Sequence, residues 1–182
     1  MLLNIGRSSD FNTFLKYSAK SGTWTIRHPG GGDQKLDQPT FVADLESIRT
    51  GWFVFREGQA PVRVLDPNLN QIAPKPHDEA RRGFVLAVFS QVSFGGPAEF
   101  SSNSTHVGNA VRDVYADYEK GKHENPGKVP VLACAGSQPM KDKLGINFRP
   151  SFRLVKWVER PVELSVNGQP SPPPVQPAPS NA

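Results

Sequence analysis

One stretch of this chain repeats its apolar residues at helical spacing. Val107, Ala110, Val111, Val114, Tyr115 and Tyr118 recur every three or four positions within residues 104–121. That spacing lays one apolar stripe along a helix, with Arg112, Asp113, Asp117 and Glu119 on the solvated side. Ser104 or Asn103 can cap its start, and Gly121 can end it. A single clear helix limits the rest of the chain to strands and connections.

The strand signals lie on both sides of it. FLKYSAK and TWTIR flank Ser21-Gly22, and each run alternates with period two, which predicts a hairpin. HPGGGDQ, residues 28–34, reads as a loop. Its glycines lack the Lys-Ser/Thr that follows in a phosphate-binding loop. Phe41-Val42-Ala43 suits a strand start, and Gly51 precedes the apolar run Trp52–Phe55. Residues 60–82 hold four prolines and read as a long excursion. Residues 83–89 form the most apolar run and read as a buried central strand. Residues 129–135 and 151–158 give two more strands after the helix. LGINFRPSF, with its glycine, asparagine and proline, reads as the loop between them.

This order predicts a mainly β domain over residues 13–164, built as a five-stranded Greek-key barrel of the oligonucleotide-binding type with its helix after the third strand. Such a barrel binds on one face and two loops. Residues 1–12 read as a flexible N-terminus. Residues 165–182 read as a disordered tail of Pro, Ser, Gln and Ala, too poor in apolar surface to offset its ordering entropy. No internal repeat is seen.

Among 182 residues, 37% are hydrophobic, enough for one domain with a modest core. No apolar run approaches the ~20 residues of a membrane span, and the N-terminus lacks a signal-peptide pattern. The one cysteine, Cys134, cannot form an internal disulfide, which fits a reducing cytoplasm. It lies in an apolar strand, where a buried structural thiol is expected.

No catalytic constellation is legible. His28, His77, His106 and His123 show no metal-ligand spacing, so each reads as solvated, and no metal or cofactor is expected. Asp113 and Asp117 share a helix face but read as ordinary surface. No Gly-x-Ser-x-Gly is present.

The charge is more telling. The chain carries a formal +4, and residues 141–160 alone match that value with Lys141, Lys143, Arg149, Arg153, Lys156 and Arg160 against Asp142 and Glu159. A second cluster comprises Lys16, Lys20, Arg27 and Lys35 against Asp33. Clustered cations attract polyanions, although basic residues also keep edge strands soluble. Aromatics are interleaved with them, and a groove of cations and π-faces is what single-stranded nucleic acid needs. Three groups qualify: Lys16, Tyr17, Lys20, Trp24 and Arg27 in the hairpin; Arg49, Trp52 and Phe55 (with Phe53) in the apolar run; and Lys141, Lys143, Phe148 and Arg149 near the last loop. In the Trp52–Phe55 run, alternation sends half of the aromatics into the core without saying which half. Phe148 is the leading stacking candidate and Trp24 the next.

FLKYSAKSGTW, FVADLESIRTGWFVFREGQAP, the FGG…EFSS element and NPGKVPVLACAG…GINFRPSFRLVKWVERP resemble phage and prophage single-stranded DNA-binding proteins of the oligonucleotide-binding fold, over about residues 11–161. The resemblance implies sequence-independent coating of single-stranded DNA in phage replication or recombination. It also implies phage replication or recombination proteins as partners, and a homo-oligomer such as a dimer. It supplies no catalytic residues. Single-strand binders of this kind end in an acidic tail that recruits partners, whereas SPPPVQPAPSNA has no acid. The alternatives are a structural virion or assembly β-protein using the same aromatics as core, and a recombination nuclease or accessory factor.

Overall fold

The computed structural model describes residues 11–56, 59 and 61–167. They form a mainly β structure in which all the strands join one sheet. β1 (Phe14–Ser18) and β2 (Thr23–Arg27) make the expected antiparallel hairpin. Gly22 closes its turn at φ +69°, a conformation that glycine adopts without steric cost. β3 (Asp33–Leu36) adds to β2, pairing Leu36 with Trp24 and Asp33 with Arg27. β4 (Thr40–Ala43) and β5 (Arg49–Val54) are separated by a 3-10 turn at Leu45–Ser47. β6 (Val62–Leu65) pairs only with β5.

The apolar run becomes β7 (Arg81–Ser90), which is central as expected. One of its edges is long enough to carry β4 at one end and β5 at the other; β8 (Gly96–Ser102) takes the opposite edge after the single turn α1 (Gln91–Phe94). β8 also pairs with β1 in parallel. α2 (Thr105–Gly121) follows, capped by the Ser104 hydroxyl, which accepts from the Val107 N–H. Then come β9 (Lys128–Asp142), β10 (Gly145–Glu159) and α3 (Val162–Asn167). The main strand order is β10-β9-β4-β7-β8-β1-β2-β3.

The sheet is open but strongly coiled, so strands from its two ends meet across one core. Trp24 of β2 lies 5.8 Å from Phe152 of β10, and Phe41 and Phe100 complete an aromatic cluster with centroids 5.3–6.4 Å apart. Tilted and edge-on pairs of this kind add about 0.5–1.5 kcal/mol each beyond the area they bury. Across the seam, the Phe148 N–H donates to the Ala19 carbonyl at 2.6 Å, and the Tyr17 hydroxyl donates to Ser137 at 2.7 Å. α2 packs on β7 and β10, burying Val107, Ala110, Val111, Val114 and Tyr118.

Several expectations are corrected. Ten strands are present among the described residues, where five were counted. β3 begins inside the stretch read as a loop, and its sequence DQKL has no apolar alternation to announce it. The 60–82 excursion contains β6 and the start of β7, and Asp66 and Ala73 anchor the segment between them. Asp66, almost fully buried, accepts from Arg82, Thr50 and the Ala73 N–H, while the Trp52 indole donates to the Ala73 carbonyl at 2.7 Å. The segment 145–150 is not a loop. Residues 145–150 pair with residues 137–142, leaving only Lys143–Leu144 as the turn. Pro150 is tolerated because β10 is an edge strand whose register shifts between Pro150 and Phe152. Gly121 ends α2 in an ordinary helical setting. Its smallness makes room for Trp157. Residues 165–167, assigned to the tail, belong to α3; residues 168–182 and 1–10 lie outside the described residues.

Candidate nucleic-acid interface

β1 points Leu15 and Tyr17 inward and Lys16 outward. β2 points Trp24 and Ile26 inward and leaves Arg27 exposed at its end. Opposite these cations the chain leaves β5 through Phe55 and Arg56. Between the two lies an open cleft of about 560 Å³, lined by Lys16, Arg27, Phe55, Arg56, Arg63 and Asn103, among others. In sequence, Lys16 and Arg56 are far apart. The β1–β8 and β7–β8 pairings bring their strands into one sheet.

The cleft wall is an ordered stack. Arg63 of β6 makes a two-pronged pair with Glu99 of β8, at 2.9 and 2.5 Å. Glu99 is only 1% exposed, so this pair is a buried structural fixture. The Arg63 guanidinium also lies 5.8 Å over the Phe53 ring. Phe53 is fully buried and stacks on Phe55 at 5.9 Å with the rings 5° apart. Phe55 is 44% exposed at the edge of this stack.

The cations at the rim are loosely held. Arg27 reaches Asp33 at 2.8 Å and Lys16 reaches the same carboxylate at 3.8 Å, so two cations share one acid. Arg56 pairs with Glu79 at 2.6 Å. All of these side chains are well exposed, and surface pairs of this kind contribute ~0–1 kcal/mol, weak enough to exchange for a phosphate.

Lys16, Arg27 and Phe55 therefore line one cleft, with the buried Tyr17 behind them. Arg56, Arg63 and Asn103 join them without having been singled out from the sequence. Arg56 adjoins Phe55 in FVFRE, and that adjacency was the available signal. Arg63 was hidden because its strand was read as an excursion.

The other aromatics divide. Trp24 is 4% exposed and lies against Tyr17, Phe41, Phe100 and Phe152, so it is a core residue. Tyr17 is likewise buried, and that burial raises its phenol above the ordinary value. Trp52 is half-buried, with Lys75 at 5.5 Å and Arg82 at 5.1 Å over its ring, so its π-surface is already engaged by the protein's own cations. Arg49 is exposed at the start of β5 and does not line the cleft.

The C-terminal group forms a second feature. Lys141 and Lys143 are exposed at the end of the β9–β10 ribbon. Phe148 is half-buried and leans on Gly22, where an added methyl would lie 3.0 Å from its Cγ. Lys20 is exposed in that same β1–β2 turn. Arg149 is not free, because it pairs with Asp113 of α2.

Among the described residues no group of three or more His, Cys, Asp or Glu could hold a metal ion. His77 and His123 are exposed, His28 is half-buried, and His106 lies 3.5 Å from Asp142. Cys134 is buried, and burial pushes its thiol up to about 12. No described helix is long and apolar enough to cross a membrane. No protein-family model, curated protein or solved structure matches the chain. The chemistry of the cleft and ribbon therefore carries the functional argument: a coiled, mainly β sheet with a cation-rimmed aromatic edge.

Proposed function

We propose that this chain binds single-stranded DNA without sequence preference and without catalysis, on a sheet coiled in the manner of an oligonucleotide-binding barrel. The observation that carries the reading is Phe55, an exposed ring stacked on Phe53 and flanked by Arg56, in one cleft with Lys16 and Arg27. An unpaired base can lie on such a ring, and the loosely paired cations can take the phosphates on either side. A role in phage replication or recombination is what the sequence resemblance adds.

The test is fluorescence anisotropy with labelled oligo-dT of about thirty nucleotides, beside duplex of the same length, at several salt concentrations. Single strand should bind more tightly than duplex. With about three phosphates neutralised, the slope of log K against log salt should be near −2. Phe55→Ala should weaken single-strand binding roughly 5- to 150-fold, the range for one lost stacked base. Absence of binding to either nucleic acid at low salt would defeat the proposal and leave the structural assembly reading.

A further inference from the structure

The β9–β10 ribbon carries an unusual tip. Asp142 pairs with Gly145, so the turn itself is Lys143–Leu144. Leu144 is 94% exposed and Ile146 is 62% exposed. Ile146 stands opposite Lys141 in the register, so an aliphatic side chain and an ammonium share one face of the ribbon. Lys143 adds a second ammonium beside Leu144. Cations thus flank two aliphatic groups at the end of a projection.

The turn and the base of the projection are hydrogen-bonded and ion-paired. The Asp142 carboxylate accepts from the Leu144 N–H at 2.9 Å and from the Asn147 amide at 3.1 Å, fixing the turn. His106 of α2 lies 3.5 Å from the same carboxylate. Lower down, Arg149 pairs with Asp113 of α2, and Phe148 is hydrogen-bonded to the β1–β2 turn. Asp142 is turned to the ribbon's own donors, which leaves the lysines to set the sign of the tip.

We propose that this tip is a wedge that opens duplex DNA at its junction with a single strand. The proposal rests on the single-strand-binding reading and extends it. Lys141 and Lys143 would hold phosphates beside the junction, while Leu144 and Ile146 take the place of a stacking neighbour against the last base pair. Aliphatic side chains inserted at base steps unstack them in this way. Charge complementarity selects the occupant: a nucleic-acid end offers an apolar base face bordered by phosphates, matching an aliphatic tip bordered by ammonium groups.

The experiment uses a forked DNA carrying a fluorophore and quencher across the first pair of the stem, with oligo-dT binding measured in parallel. The wild-type chain should open the fork. Leu144→Ser with Ile146→Thr should bind oligo-dT within about twofold of wild type, yet open the fork about tenfold more slowly. Both residues are exposed, so the fold is not at risk. Val92→Ser removes an aliphatic side chain that is 98% exposed on α1 and should change neither reading. If wild type binds no single strand, the underlying reading falls and the wedge falls with it. If wild type binds single strand but never opens the fork, or the double variant opens it as fast, the wedge alone is overturned. A double variant that loses self-association in sedimentation while opening the fork normally also overturns it, because the tip is then a contact between copies of the chain.

Discussion

α2 contains two glycines whose replacement by alanine should have opposite effects. In a helix, alanine is favoured over glycine by roughly 0.5–1 kcal/mol, because glycine loses more backbone freedom on folding. At Gly108 a Cβ would meet nothing within 4 Å, so that gain should appear nearly whole. At Gly121 the Cβ would lie 2.7 Å from Cζ2 of Trp157 and 3.4 Å from its Cε2. The indole has little room to retreat, since it stacks on Tyr118 at 5.7 Å and packs against the core. Overpacking of this kind costs about 1–3 kcal/mol, more than the helix gain at a terminal residue. Gly108→Ala should therefore raise Tm by about 1–4 °C, and Gly121→Ala should lower it by several degrees. The assay is thermal and urea unfolding followed by far-UV circular dichroism. Trp157→Phe should remove most of the Gly121→Ala penalty in a double-mutant cycle. If Gly121→Ala stabilises as much as Gly108→Ala, the packing argument at the α2–β10 contact is wrong.

Two further predictions test the core and the pinned excursion. Cys134 should resist alkylation at pH 8, its labelling rate following global unfolding rather than thiol chemistry, because the thiol is buried and held protonated; rapid labelling of the native chain would contradict that placement. The Arg82 guanidinium holds the Asp66 carboxyl well below the usual carboxylate range, so its folded pKa lies below its unfolded one. The stability this contributes is present above the unfolded value of about 4 and is lost as pH falls toward the folded one. Asp66→Asn should thus flatten the acid limb of the stability curve and expose residues 66–80 to proteolysis.

The parts of the fold that were legible in the sequence are those set by local chemistry. The 104–121 stripe, the Ser104 cap, the Gly22 turn and the buried 83–89 run each carry their signal within one element. β3 and β6 have little signal of their own. DQKL becomes a strand because Trp24 and Arg27 are waiting across the ladder, and VRVL because β5 offers an edge. Pro150 misled because a proline in a strand is excluded only where its N–H would be needed, and an edge strand with a register shift does not need it. The candidate site was half legible. Alternation paired Trp24 with Ile26, but only the coiling of the sheet decided that this face is the core. Phe55 fell on the outer side of the same question, and its cleft is assembled from residues far apart in sequence.

The basic C-terminal stretch shows why counting charge along a sequence overstates a binding surface. Arg160 reaches Asp44 at 2.5 Å and Glu46 at 3.0 Å, tying the end of β10 to the 3-10 turn. Arg149 is occupied by Asp113. Arg153 and Lys156 are exposed on β10, the outermost strand of the sheet, where charge discourages pairing with another chain. Two of the six cations thus hold the fold together and two protect an edge. Lys141 and Lys143 pair with no described acid, and they sit beside the exposed Leu144 and Ile146 at the ribbon's tip. The same accounting moves the main binding argument to the cleft. There Lys16 and Arg27 share a single carboxylate, and the exposed ring of Phe55 gives the charge something other than water to act beside. Charge that is already neutralised cannot release counterions from DNA. The salt dependence of binding should therefore follow the few loosely paired cations, and not the +4 that the stretch carries on paper.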